Sequence, residues 1–127
     1  MAYTYDDQNI FAKILRGEIP NNTVYENDFA LAFHDVQRQA PDHVLVIPKG
    51  AYVNFDHFAN EASDAEIAGF TRAIGKVCDL LGVAPGAGGN GYRFLTNAGR
   101  DGGQEVMHLH VHIVGGRPLG RMLQRAE

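Results

Sequence analysis

The stretch HLHVHIVGG, residues 108 to 116, constrains this chain more than any other part of it. Three histidines stand at every second position, with Leu109, Val111 and Ile113 interleaved and a glycine pair behind them. Side chains two apart on a β-strand share one face, with neighbours roughly 6.5 to 7 Å apart. The alternation therefore predicts a strand with one apolar face in the core and His108, His110 and His112 together on the other. Each imidazole carries two polar nitrogens that must find partners, so packing alone does not account for three in register.

The remaining pattern is α+β. DDQNIFAKILRGEIP reads as a short helix: Ile10, Phe11, Ile14 and Leu15 recur at helical spacing, an Asp or Asn opens it, and Gly17 then Pro20 stop it. TVYEND and FALAFHDV read as two strands about a turn at Asn27-Asp28, and HVLVIPKG as a third, ended by Pro48 and Gly50. SDAEIAGFTRAIGKVCDLLG is the clearest helix, with a Ser63–Glu66 capping box and Gly82 at its C-terminal end. Its stripe is Ile67, Phe70, Ile74, Val77, Cys78 and Leu81, which makes Cys78 a small core residue rather than a reactive thiol. YRFLTN and EVMHLHVHIVG complete five strands. Five strands and two helices without regular alternation predict a mainly antiparallel sheet with the helices packed on one face.

With 127 residues and no repeat or low-complexity tract, the expectation is a single domain, 1–127, with a core over about 9–116 and a tail over 117–127. The start lacks the sections of a signal peptide and no apolar run approaches a membrane span, so a cytoplasmic protein without a membrane partner is expected. Eleven basic against fifteen acidic residues, a net charge of −4, weigh against a nucleic-acid partner.

Two glycine-rich stretches invite a phosphate reading. GAGGNG at 86–91 matches the G-x-G-x-x-G string, but that motif needs a strand before it and a helix after it, and here the order is reversed. NAGRDGGQE at 97–105 runs directly into the histidines, and its glycines expose N–H groups of the kind that bind anions. The histidines themselves admit two chemistries. His-x-His on a strand can supply two zinc ligands, with Glu105 as a candidate third. Alternatively one imidazole attacks phosphorus while the others orient it and move protons, a reading that wants amide groups nearby, and Asn97 with Gly102-Gly103-Gln104 supplies them.

His108-Leu-His-Val-His112-Ile-Val114 resembles the His-φ-His-φ-His-φ-φ signature of the histidine triad (HIT) superfamily. IFAKILRGEIP, LAFHDVQRQAPDHVLVIPK, GGQEV and GGRPLGRML are similar, in order, to the Hint branch of nucleotide-binding proteins, from about Asn9 to Leu123. The resemblance implies a HIT-like fold whose sheets join across a homodimer. It implies a hydrolase like the adenosine 5′-monophosphoramidases, cleaving the P–N bond of purine nucleoside phosphoramidates through a nucleotidyl-histidine and releasing AMP or GMP. Aminoacyl adenylates are further candidate substrates. Neither a metal nor a cofactor is implied.

By the same resemblance His110 is the nucleophile, His108 and His112 flank it, and His43 is the fourth histidine of a proton relay. Asp35, next to Val36, accepts from the ribose hydroxyls. Phe11, Ile19, Phe33 and His34 wall the base pocket, and Asn97 with the backbone of Gly103, Gln104 and Glu105 holds phosphate. Glu105 stands where animal members carry Ser, so the N–H at this position is the expected contact and the carboxylate is not. Met107 replaces a common Tyr and is expected on the core side. The alternatives are a dinucleoside polyphosphate hydrolase of the Fhit type and a nucleotide-binding adaptor with weak residual activity.

Overall fold

The computed structural model describes residues 3–125, so the last two positions of the expected tail and the first two of the chain lie outside the described residues. Five strands, β1 (Thr23–Glu26), β2 (Ala30–His34), β3 (Asp42–Pro48), β4 (Tyr92–Leu95) and β5 (Val111–Gly115), form one sheet in the order β1-β2-β3-β5-β4. All four pairings are antiparallel. The helices are α1 (Ile10–Leu15), α2 (Phe55–Glu61), α3 (Asp64–Leu80) and the single turn α4 (Gly99–Gly102).

The elements form for local reasons. Asn9 caps α1 by accepting from the Ala12 N–H, and Ser63 and Glu66 make both halves of the capping box on α3. Helix α2 escapes sequence periodicity because seven residues give too few turns; Asn54 starts it by accepting from the His57 N–H. GAGGNG holds a 3-10 turn and folds back on the end of α3, where the Gly91 N–H donates to the Val83 carbonyl, so it serves as a connection.

Helices cover both faces of the sheet, which corrects the expectation of one. Ala30, Ala32, Val44, Val46 and Ile113 pack with Phe70, Ala73, Val77 and Cys78 of α3. Their strand neighbours Leu31, Phe33, Leu45 and Ile47 pack with Phe11 and Ile14 of α1 instead. Because strand side chains alternate, these clusters lie on opposite faces. Small alanines on one face let α3 approach closely, while larger residues on the other meet the shorter α1.

The glycine pair behind the histidines has a steric cause. A Cβ at Gly116, where φ is +90°, would sit 2.9 Å from the Pro41 Cβ, and one at Gly115 would sit 3.2 Å from the Gly91 carbonyl. Among the described residues no helix is long and apolar enough to cross a membrane.

Candidate active site

His112 lies on β5, but His108 and His110 precede it in irregular backbone, so the expected strand over the whole triad is shorter than the pattern suggests. The ladder between β3 and β5 stops at the Val46–Val111 pair. Just beyond, the Leu109 N–H turns to the Tyr52 carbonyl, and the His108 ring takes the Pro48 carbonyl at 2.8 Å. Leu109, Val111 and Ile113 are buried as expected. Met107 is exposed, not on the core side, because the backbone has already left the sheet there.

The hydrogen-bond partners of each ring determine where its proton sits. The His110 Nδ1 lies 2.8 Å from the His108 carbonyl, which can only accept, so His110 carries its proton on Nδ1 and keeps a lone pair on Nε2. The His43 Nδ1 accepts from the Gln39 N–H at 3.1 Å, which puts the proton of neutral His43 on Nε2. That Nε2 lies 3.0 Å from the His112 Nδ1 and 3.3 Å from the Asp35 Oδ2. Donation to His112 fills its Nδ1 and leaves the His112 proton on Nε2. His108, with no exposed surface, donates from Nε2 to Pro48 and accepts the Tyr5 hydroxyl on Nδ1 at 2.6 Å.

Burial holds all four rings neutral. It pushes the His108 pKa from 6.5 down to about 4. His112 also falls to about 4, first from burial and then from its neighbours His110 and His43. His110 and His43 are lowered mainly by burial, with Asp35 pulling both back upward. A nucleophile in its neutral form and a hydrogen-bonded imidazole pair beside it can together carry out attack and proton delivery.

A cleft of about 520 Å³ opens over these rings. Phe11, Ile19, Phe33 and Leu45 make its apolar wall; His34, Asp35, Val36, Asn97, Gly103 and Glu105 line the remainder, with His110 and His112 inside. Three expected site residues stand off this cleft. His43 lies behind His112 and faces a smaller hollow of about 390 Å³, and His108 is buried beneath. Gln104 is engaged in scaffolding: its side chain accepts from the Gly99 N–H and donates to the Val53 and Val106 carbonyls. The Gly103 and Gln104 N–H groups close the α4 turn onto Arg100 and Gly99, leaving the N–H of Glu105 as the one not drawn into that turn.

The donor set speaks against the zinc reading. Among the described residues the grouping compact enough for a metal is Asp35, His43 and His112, not the triad itself. To ligate there, His43 would have to give up the proton that its Gln39 contact keeps on Nε2. Cys78 is buried in the core, and burial raises its thiol pKa.

Sequence reasoning missed three residues that hold the site: Tyr5, Gln39 and Thr96, whose hydroxyl donates to the His110 carbonyl at 2.8 Å. Nothing in their local pattern marks them, since each acts through a contact made only on folding.

The family model described as HIT domain matches residues 16–119. An uncharacterised 13.2 kDa HIT-like protein of Azospirillum brasilense is 55% identical over 125 residues, 98% of this chain and 99% of that one. The purine nucleoside phosphoramidase of Escherichia coli K12 is 40% identical over 117 residues, 92% of this chain and 94% of that one. Among solved structures, a histidine triad protein from Clostridium difficile superposes with a TM-score of 0.78 at 37% identity, covering 94% of this chain and 100% of its own.

Proposed function

The chain belongs to the HIT domain family, and from that premise we propose that it hydrolyses purine nucleoside phosphoramidates by covalent catalysis at His110. The observation that carries this reading is the His110 ring: the His108 carbonyl fixes its proton on Nδ1 and leaves the Nε2 lone pair in a cleft with an apolar wall on one side and Asp35 on the other.

In the first step the His110 Nε2 attacks the phosphorus, the P–N bond breaks, and the leaving nitrogen takes the His112 Nε2 proton. As it does so, the His43 Nε2 proton can shift across their contact to the His112 Nδ1, so that the hydrogen-bonded pair together carries the loss of one proton. Water then attacks the phosphorus and gives one proton back to the His112–His43 pair, the bond from phosphorus to the His110 Nε2 breaks, and AMP or GMP leaves while His110 regains its lone pair. Phe11, Ile19, Phe33 and His34 flank the base. Asp35, one oxygen of which already accepts the Gln37 N–H, meets the ribose hydroxyls. Asn97 and the Glu105 N–H face the phosphate; the exposed Glu105 carboxylate, also at the cleft, would repel that anion and takes no part in holding it. The named activity of the Escherichia coli relative supports this substrate class over dinucleoside polyphosphates.

A homodimer is part of the proposal. β4 is an edge strand that leaves Tyr92, Phe94 and Leu95 exposed, and Met122 and Leu123 in the tail are exposed as well. An uncovered apolar edge of this kind is what strand-to-strand joining of two copies would bury.

Rapid quenching of turnover with an adenosine phosphoramidate, followed by mass spectrometry of peptide 101–117, tests the chemistry. The expected result is a nucleotidyl adduct on His110, with His110→Ala losing at least about a thousandfold in kcat while still binding AMP. Full activity in His110→Ala would end the covalent reading, and preferential cleavage of a diadenosine polyphosphate would move the substrate class.

A further inference from the structure

We propose that Tyr5 is a positioning residue for the nucleophilic histidine, acting through His108. The proposal rests on the reading of His110 as nucleophile and adds a residue outside the cleft to it.

The backbone from His108 to His110 lies beyond the last rung of the β3–β5 ladder, so the sheet does not hold it. Four bonds replace the ladder. The Leu109 N–H donates to the Tyr52 carbonyl, and the Thr96 hydroxyl to the His110 carbonyl. The His108 ring makes the other two, to the Pro48 carbonyl at 2.8 Å and to the Tyr5 hydroxyl at 2.6 Å. The carbonyl of that same His108 fixes the His110 tautomer. Any freedom in His108 is therefore passed to the atom that sets the nucleophile.

Tyr5 controls that freedom chemically. A hydroxyl donating to Nδ1 keeps the His108 proton on Nε2, where Pro48 needs it. Without the donor, a neutral ring can place its proton on either nitrogen, and the form with Nδ1–H gives up Pro48. Because the His108 ring itself has no exposed surface, losing the hydroxyl removes the one donor that its Nδ1 has within hydrogen-bonding distance among the described residues. The Tyr5 ring meets His108 edge-on with centroids 5.6 Å apart, and Phe11, six residues later, packs on both His108 and His110. The segment from Tyr5 to Phe11 thus closes the buried side of the triad. Since Tyr5 does not line the cleft, its effect belongs in kcat and not in KM.

Tyr5→Phe keeps the ring and removes only the hydroxyl. The expected result is a kcat lower by about 5- to 50-fold, the order that small misplacement of a reacting group produces, with KM within about twofold. The ring resonances give a second readout free of turnover. In ¹⁵N spectra of the full-length protein the His108 Nδ1 signal should shift, and the His110 Nδ1–H should exchange faster with water.

Unchanged kcat and unchanged His110 exchange overturn the proposal, even when the variant melts at a lower temperature, because that is the mark of a purely structural contact. A wild-type protein that does not turn over phosphoramidates ends the proposed function, while the ring spectra still decide the role of Tyr5. Should Tyr5→Phe fail to fold, 3-fluorotyrosine at position 5 keeps the bond and changes only the acidity of the donor. A shift of the His108 Nδ1 signal together with a changed kcat then supports the proposal, and neither changing overturns it.

Discussion

Lowering the pH from about 8 to about 5 should weaken the fold through its buried histidines, and His108 sets the size of the effect. Burial lowers its pKa from 6.5 to about 4. Between those values the unfolded chain takes up a proton that the folded chain refuses, so stability falls as the pH drops through 6.5 and stops falling near 4. At about pH 5 the unfolded ring lies roughly 1.5 pH units below its pKa, worth about 2 kcal/mol at roughly 1.4 kcal/mol per unit. His110, His112 and His43 are lowered too and add in the same direction. The carboxylates with resolved shifts, Glu18 and Glu66, are lowered and act below this window. Urea unfolding at the two pH values is the assay. With a slope of about 2 kcal/mol per molar, His108 alone should move the midpoint by about 1 M. His108→Gln offers a donor for Pro48 and an acceptor for Tyr5 but no proton to gain. Its stability at pH 8 will differ from that of the wild type, but its loss between the two pH values should be smaller by about 2 kcal/mol. Equal losses in variant and wild type, or no loss in the wild type, would refute the claim that these rings fold neutral.

Gly116→Ala forces a side chain into a left-handed backbone and against Pro41 and Asp42, so thermal unfolding should show about 2 kcal/mol of lost stability, a melting point lower by roughly 5 to 10 °C. Prolonged chelation should leave phosphoramidate turnover intact; loss that zinc restores would overturn the proton assignment of His43. Sedimentation of the wild type should give twice the chain mass, and Phe94→Asp on the exposed edge strand should halve it; a wild-type monomer at micromolar concentration contradicts the proposed pairing.

Much of this protein is legible locally. The capping box at Ser63 and Glu66, the stripe on α3, the cap at Asn9 and the alternation in β2 and β3 depend on neighbours a few residues away, and those interactions exist in any context. The triad signature likewise identifies the family, because its residue types are set by chemistry at one short segment. The proton positions were not legible. They follow from Pro48 reaching His108, Gln39 reaching His43, and His43 reaching His112 across 69 residues of sequence. Nor does alternation reveal that β5 begins only at Val111, since the pattern continues while the ladder stops. Sequence periodicity records which side of the chain is apolar. Which nitrogen holds a proton is decided by the single acceptor or donor that the packed sheet, α1 and the N-terminal segment bring within hydrogen-bonding distance.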